Sequence, residues 1–290
     1  MTGIFLVDKD QDWTSSDVVA KLRGVLGERR IGHAGTLDPL ATGLLVIMVG
    51  RATKASDYLM KHDKRYIAHL RLGIETDTQD ITGNILREVQ SNVSLEDVQK
   101  AAESFTGTVY QTPPMFSAIK RNGQKLYKIA RNGGTVEREA RTINVSSLSV
   151  VGMENEDYIL DICCSSGTYV RTLCHDIGIL LGCGACMSKL RRVASGDFRV
   201  EQAHTIGELS EADTETVREW MLPLDRAFWQ YEAITADDGD RKKLYCGISI
   251  QTNAADGEYR VYSSGGNFLM LGQVQNGVLR KEMGFFEEYR

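Results

Sequence analysis

A chain of 290 residues that is 42% hydrophobic and 25% charged has the makeup of a soluble globular protein with a sizeable core. No apolar run approaches the length of a membrane span, and Met1 to Asp8 lack the basic start and small-residue cleavage site of a signal peptide, so the cytoplasm is the expected compartment. The net charge of −5 hides an uneven spread: residues 201–240 hold 11 acidic and 2 basic side chains, residues 115–142 hold 7 basic and 2 acidic ones, and local charge is what steers a polyanionic partner.

In chain order, Phe5-Leu6-Val7 predicts a short strand. Thr14-Ser15-Ser16-Asp17 supplies N-cap candidates for a helix carrying Val18, Leu22, Val25 and Leu26 at helical spacing. Arg29 and Arg30 suit either a solvated helix end or a phosphate contact. Gly32 to Gly43 then packs three glycines, Pro39, His33 and Asp38 into twelve residues, directly before the six apolar residues Leu44 to Val49. The apolar run is too short for a bilayer and predicts a fully buried strand. A rigid polar loop that offers one acid and one base against a core strand suits chemistry. Asp-Pro is equally an ordinary turn initiator.

From Lys64 to Gly73 the sequence alternates, with Tyr66, Ala68, Leu70 and Leu72 on one strand face and Lys64 and Arg65 as basic flanks. Tyr66 is either a half-buried strand residue or a base-stacking platform. Ser94 opens a helix lined by Leu95, Val98, Ala102 and Phe105. After Pro113 and Pro114, Lys120, Lys125, Lys128 and Arg131 are interleaved with Phe116 and Tyr127. Such a mixture suits an arm that grips a nucleic-acid backbone, or an amphipathic helix with a solvated basic face.

Tyr158 to Cys164 alternates as a strand, and Val170, Leu173, Ile177 and Leu180 follow at helical spacing. Tyr169 and Arg171 therefore stand at a helix N-terminus directly after a strand, a place that favours anions. Leu190 is followed by Arg191 and Arg192. Cys183 and Cys186 form a C-x-x-C, but a second ligand pair for zinc is lacking, so free buried thiols are expected. After Tyr231 short strand patterns are separated by Gly265-Gly266 and Asn276-Gly277, both hairpin signals, which predicts a small all-β unit over 231–290.

Several of these segments together resemble the TruB-type tRNA pseudouridine synthases. Gly32 to Gly43 is similar to their G-H-x-G-x-L-D-P-x-A-x-G signature. Lys64-Arg65-Tyr66 resembles their K-x-Y strand, and Pro113 to Lys120 with Gly123, Leu126 and Tyr127 their P-P-x-Y-S-A-x-K…G…L-Y segment. Cys164 to Leu173 resembles C-S-K-G-T-Y-I-R-T-L, and Leu190-Arg191-Arg192 with Gly196 and Phe198 resembles L-R-R…G-x-F. Departures occur at Asp10 and Asp12, where the family has proline and glycine, at Phe116 in place of tyrosine, at Ser166 in place of lysine and at Cys186 in place of histidine.

The resemblance implies an α+β fold: a mixed, mostly antiparallel sheet with flanking helices and a thumb-like insertion. The catalytic domain would span 1–230, with the thumb at about 111–142, and a PUA-like RNA-binding domain would span 231–290. It implies a tRNA pseudouridine synthase that isomerises uridine 55 of the T loop, using no cofactor and no metal. The implied partner is tRNA, through its T-arm and elbow, with no membrane and a monomeric protein.

By match, Asp38 is the nucleophile and Arg171 the cation that keeps it charged. Tyr66 would stack on the flipped base and take the C5 proton. His33 would hold the opened T loop, and Tyr169 and Leu190 would line the base pocket. Lys64, Arg65, Lys120, Lys125, Lys128, Arg131, Arg191 and Arg192 would follow the RNA backbone. The alternative from another class is an RNA-folding chaperone of the tRNA elbow with catalysis secondary.

Overall fold

A computed structural model describes residues 1–121 and 123–286. The chain opens with β1 (Gly3–Lys9), α1 (Ser15–Leu26), β2 (Ile31–His33) and β3 (Thr42–Val49). The short α2 (Ser56–Met60), β4 (Lys64–Leu72) and the hairpin of β5 (Ile74–Thr76) and β6 (Ile85–Glu88) follow. After α3 (Leu95–Glu103) and β7 (Gly107–Gln111) come the thumb elements β8 (Lys120–Arg121), β9 (Gln124–Lys125) and α4 (Leu126–Arg131). A long hairpin, β10 (Arg141–Glu154) and β11 (Asp157–Cys164), leads into α5 (Val170–Leu180) and β12 (Ala185–Ser195). β13 (Phe198–Arg199), β14 (His204–Thr205), α6 (Ile206–Glu211) and α7 (Thr214–Glu219) complete the larger part.

The large sheet has ten strands, with the path β14-β1-β3-β12-β4-β11-β10-β7, β2 beside β3 and β13 beside β12. Only β14 to β1 and β3 to β12 are parallel pairs; the rest are antiparallel. The mixed, mostly antiparallel sheet with flanking helices is thus the architecture the resemblance implies.

The sheet has two unlike faces. On one, Phe5, Val7, Leu45, Ile47, Ala68, Leu70 and Leu160 pack with Val18 and Leu22 of α1, Val98 of α3, and Leu173 and Ile177 of α5. On the other, Ile4, Leu6, Leu44, Val46 and Met48 pack with Phe228, Leu271 and Phe285. Strand β3 is therefore covered on both faces, which is why Leu44 to Val49 is apolar without alternation. Strands β4 and β11 are covered on one face only, and they alternate. Helix ends escape the expected stripe: Leu95 and Leu180 are 45% and 58% exposed, at the first and last positions of α3 and α5.

The C-terminal unit is a five-stranded sheet in the order β15-β17-β18-β19-β16, formed by β15 (Glu232–Ala236), β16 (Ile250–Gln251), β17 (Gly257–Ser263), β18 (Phe268–Gln275) and β19 (Val278–Gly284), with α8 (Asp238–Tyr245) beside it. Asn276 and Gly277, at φ 52° and 71°, make the two-residue turn between β18 and β19. Val261, Met270 and Leu279 form its own small core. Leu271 and Phe285 reach instead into the second core of the larger part, so the two units share buried surface. Among the described residues no helix is long and apolar enough to cross a membrane.

Candidate active site

Asp38 lies between β2 and β3 in a loop that four neighbours pin. Thr14 caps α1 reciprocally with Asp17, which leaves Ser15 free for another task. The buried Ser15 hydroxyl accepts from Leu37 N at 2.9 Å and donates to Leu37 O at 3.1 Å, one residue before Asp38. Lys9, fully buried, donates from Nζ to Trp13 O at 2.7 Å and Pro39 O at 3.4 Å. Asp12 N donates to Pro39 O at 2.9 Å. Arg192 donates from Nε to Leu44 O at 2.6 Å and from Nη2 to Gly35 O at 3.2 Å. Gly43 sits at φ 96°, and a Cβ there would stand 2.3 Å from Arg192 O, so no other residue fits the junction of loop and strand.

Arg171 comes from the first turn of α5. Its Nη2 lies 3.1 Å from Asp38 Oδ2 and donates to Phe116 O at 2.8 Å. Its Nη1 lies 3.3 Å from Asp80 Oδ2 and donates to Thr78 O at 3.0 Å. Asp80, buried, is held in turn by Thr78 Oγ1 at 2.9 Å, Thr82 N at 3.0 Å and Thr82 Oγ1 at 2.5 Å. The guanidinium side chain is 7% exposed and the Asp38 side chain 44% exposed. A fixed, buried cation thus holds one oxygen of a carboxylate whose remainder faces open space.

Tyr66, in β4, pairs across the sheet with Arg192 and Ile162 and is half-buried. Burial pushes its phenol above the ordinary range, with the Arg192 cation acting the other way. In the free protein Tyr66 is therefore the neutral phenol at physiological pH. Its expected role as acceptor of the C5 proton would need a phenolate, which this environment disfavours. Leu190 pairs with Ala68 on the same sheet face. His33 ends β2; burial, then the Arg192 cation, lowers its pKa, so the imidazole is neutral at physiological pH. Tyr169 caps the entry to α5 in extended conformation, and burial raises its phenol as well.

Asp38, Tyr66, Arg171, His33, Tyr169 and Leu190 thus belong to elements that converge on the Asp38 loop. Four of the expected RNA-backbone cations do not behave as expected. Lys64 is buried, with Nζ donating to the carbonyls of Met60 and His62. Arg192 is buried and bonded to the Asp38 loop, as above. Arg65 and Arg191 point to the opposite face of the sheet, since side chains alternate along a strand. There Arg65 makes a two-point ion pair with Asp161, and Arg191 one with Asp8 at 3.0 and 2.6 Å. The three guanidinium groups and the ammonium are occupied within the chain.

Lys120, Lys125, Lys128 and Arg131 remain available in the thumb. Lys120, Lys125 and Lys128 line a pocket of about 350 Å³ together with Tyr127. Lys125 Nζ and the Arg131 guanidinium stand 5.7 and 5.4 Å from the centre of the Tyr127 ring.

Asp80, Ser15 and Lys9 are the participants that sequence reasoning passed over. Asp80 stands between Thr78 and Thr82, a composition that reads as a hydrogen-bonded turn. Its partner lies 91 residues away, beyond any local pattern. The cysteines are all free, and burial pushes the Cys164 and Cys186 thiols up to about 11, which leaves them as neutral packing groups.

The chain matches the family model described as "TruB family pseudouridylate synthase (N terminal domain)" over residues 23–170 and that described as "tRNA pseudouridylate synthase B C-terminal domain" over 171–228. It is 40% identical to tRNA pseudouridine synthase B of Clostridium perfringens (strain 13 / Type A), covering 99% of this chain and 100% of the relative. It is 38% identical to the protein of the same name from Pseudomonas aeruginosa (strain UCBPP-PA14), covering 94% of this chain and 92% of the relative. A chain in the crystal structure of a Cbf5-Nop10-Gar1 complex superposes with a TM-score of 0.70 at 25% identity, over 94% of this chain and 78% of the other. With the fold, the Asp38 loop and both family models in agreement over the larger part, this chain belongs to the TruB family of pseudouridylate synthases.

Proposed function

We propose that this protein isomerises uridine 55 in the T loop of tRNA to pseudouridine, with Asp38 as the nucleophile. The observation that carries the reading is the Asp38–Arg171 pair: a buried arginine fixes a half-exposed carboxylate at 3.1 Å. The reaction breaks the C1′–N1 bond and forms C1′–C5. The C5 proton is lost and N1 gains one, so the isomerisation is redox-neutral, and Asp38 supplies the charged carboxylate at the reacting nucleotide.

The target base must leave the helical stack, at a cost of a few kcal/mol. Tyr66 stacks on the extruded uracil, Tyr169 and Leu190 close the pocket around it, and neutral His33 fills the space it vacates. A neutral wedge suits contact with bases rather than phosphates. Lys120, Lys125, Lys128 and Arg131 meet the backbone of the arm, and the tRNA names of the relatives support that choice of RNA.

The test is carbodiimide mapping of an unmodified tRNA transcript and of its isolated T arm after incubation with the protein. A single pseudouridine at the T-loop uridine of both is expected. Modification at another position, or no modification of either RNA, would contradict the reading.

A further inference from the structure

Gln111 is the last residue of β7. Its side chain is buried, at 2% exposure, yet it spends both of its polar groups on one other residue. Tyr169 N donates to Gln111 Oε1 at 2.8 Å, and Gln111 Nε2 donates to Tyr169 O at 3.0 Å. The amide thus engages the backbone of Tyr169 as a neighbouring strand would.

Tyr169 is the N-cap residue of α5, extended at φ −97° and ψ 103°, and it has no side-chain capping bond. A tyrosine ring cannot supply the short acceptor that serine, threonine or aspartate offers at this position. The direction in which α5 begins is therefore set from outside, by Gln111. Arg171 is two residues further on, and its guanidinium is fixed by Phe116 O, five residues after Gln111. One short stretch of chain holds the entry of α5 at two points, one on backbone and one on side chain.

We infer that Gln111 is a positioning residue for the isomerisation. Its amide sets the entry of α5 so that the Tyr169 ring and the Arg171 guanidinium stand in register with Asp38. The inference rests on the reading of Asp38 as the reacting carboxylate. Gln111 touches neither substrate nor reacting atoms; it acts through Tyr169 and Arg171. A misplacement of those groups by about an ångström reduces turnover by up to about a hundredfold without removing any of them.

The test is single-turnover kinetics on a T-arm transcript with Gln111→Met and Gln111→Glu, with Asp38→Asn run beside them. Q111M keeps the volume and removes both bonds. It should lower the chemical rate by at least tenfold while transcript affinity changes less than threefold. Q111E keeps the shape and adds a switch. As the acid it offers one donor and one acceptor, like the amide; as the carboxylate it cannot donate to Tyr169 O. Its activity relative to wild type should therefore rise as pH falls from 9 to 5.5. A Q111M rate equal to wild type, or a Q111E ratio that is flat with pH, would overturn the positioning role. Full activity in Asp38→Asn would instead remove the reading on which it rests, so the two failures are separable.

Discussion

Arg171 and Asp38 are bound at 3.1 Å yet differ sixfold in exposure, 7% against 44% for their side chains. The arginine is fixed from behind by Asp80 and by two backbone carbonyls, and the aspartate alone looks outward. A surface ion pair would contribute little to stability and would not hold either partner in one place. Here Asp80, Thr78 O and Phe116 O hold the cation from three sides, so the Asp38 oxygen it binds has a fixed partner. That arrangement is preorganisation, and it gives Asp80 a role of its own.

Asp80→Asn should lower turnover by roughly tenfold to a hundredfold with a smaller change in KM, because Arg171 loses the anchor that aims it. The variant should also lose on the order of 3 kcal/mol of stability, since one partner of a buried pair is neutralised. Initial rates on a T-arm transcript and urea unfolding check both. A change in KM alone would contradict the anchoring role.

Two glycines of the same stretch should respond in opposite ways to alanine. Gly43→Ala faces a positive φ and a Cβ contact of 2.3 Å with Arg192 O, so a loss of at least ~2 kcal/mol is expected. Gly32→Ala meets only the tips of the Met48 and Thr53 side chains near 4 Å and should be within about 0.5 kcal/mol of wild type. Chemical denaturation midpoints of the two variants compare them directly.

The pH dependence of stability should carry a signature of Lys64. Burial, with the Arg192 cation, lowers its pKa from 10.5 to about 8. Between those values the unfolded chain holds a proton that the folded protein has released, so stability rises with pH through that window. Below pH 8 both states are protonated and the burial penalty is present in full. Relative to Lys64→Met, the wild type should gain roughly 2 kcal/mol between pH 7 and pH 9.5. Parallel stability curves for the two proteins would count against a buried ammonium at this position.

The thumb lysines should govern affinity through charge. Replacing Lys120, Lys125 and Lys128 together by glutamine should weaken binding of the T arm and reduce the slope of log affinity against log salt by about 2 to 3. The chemical rate at saturating RNA should change little. An unchanged slope would take the RNA path away from the pocket of about 350 Å³ that these residues line.

The outline of this site is legible in the sequence where local pattern carries it. The unbroken Leu44 to Val49 run announces a strand buried on two faces, and the glycine-punctuated stretch before it announces a loop held close to other backbone. Helix α5 and its entry at Tyr169 follow from a strand, a turn and helical spacing. Charge misleads where long-range partners decide the outcome. Arg191 and Arg192 are adjacent and chemically alike, yet strand alternation sends one to Asp8 on an open face and buries the other against the Asp38 loop. Lys64 reads as a basic flank but is turned inward onto two carbonyls. Asp80 and Gln111 are invisible for the same reason: their partners lie 91 and 58 residues away.

The most direct test of the catalytic reading is Asp38→Asn on an unmodified T-arm transcript, scored by carbodiimide mapping with binding measured in parallel. The substitution keeps size and removes the charge that Arg171 holds in place. No pseudouridine with transcript affinity within a few-fold of wild type is the predicted result. Pseudouridine formation by the variant at a rate close to wild type would contradict the assignment of Asp38 as the nucleophile.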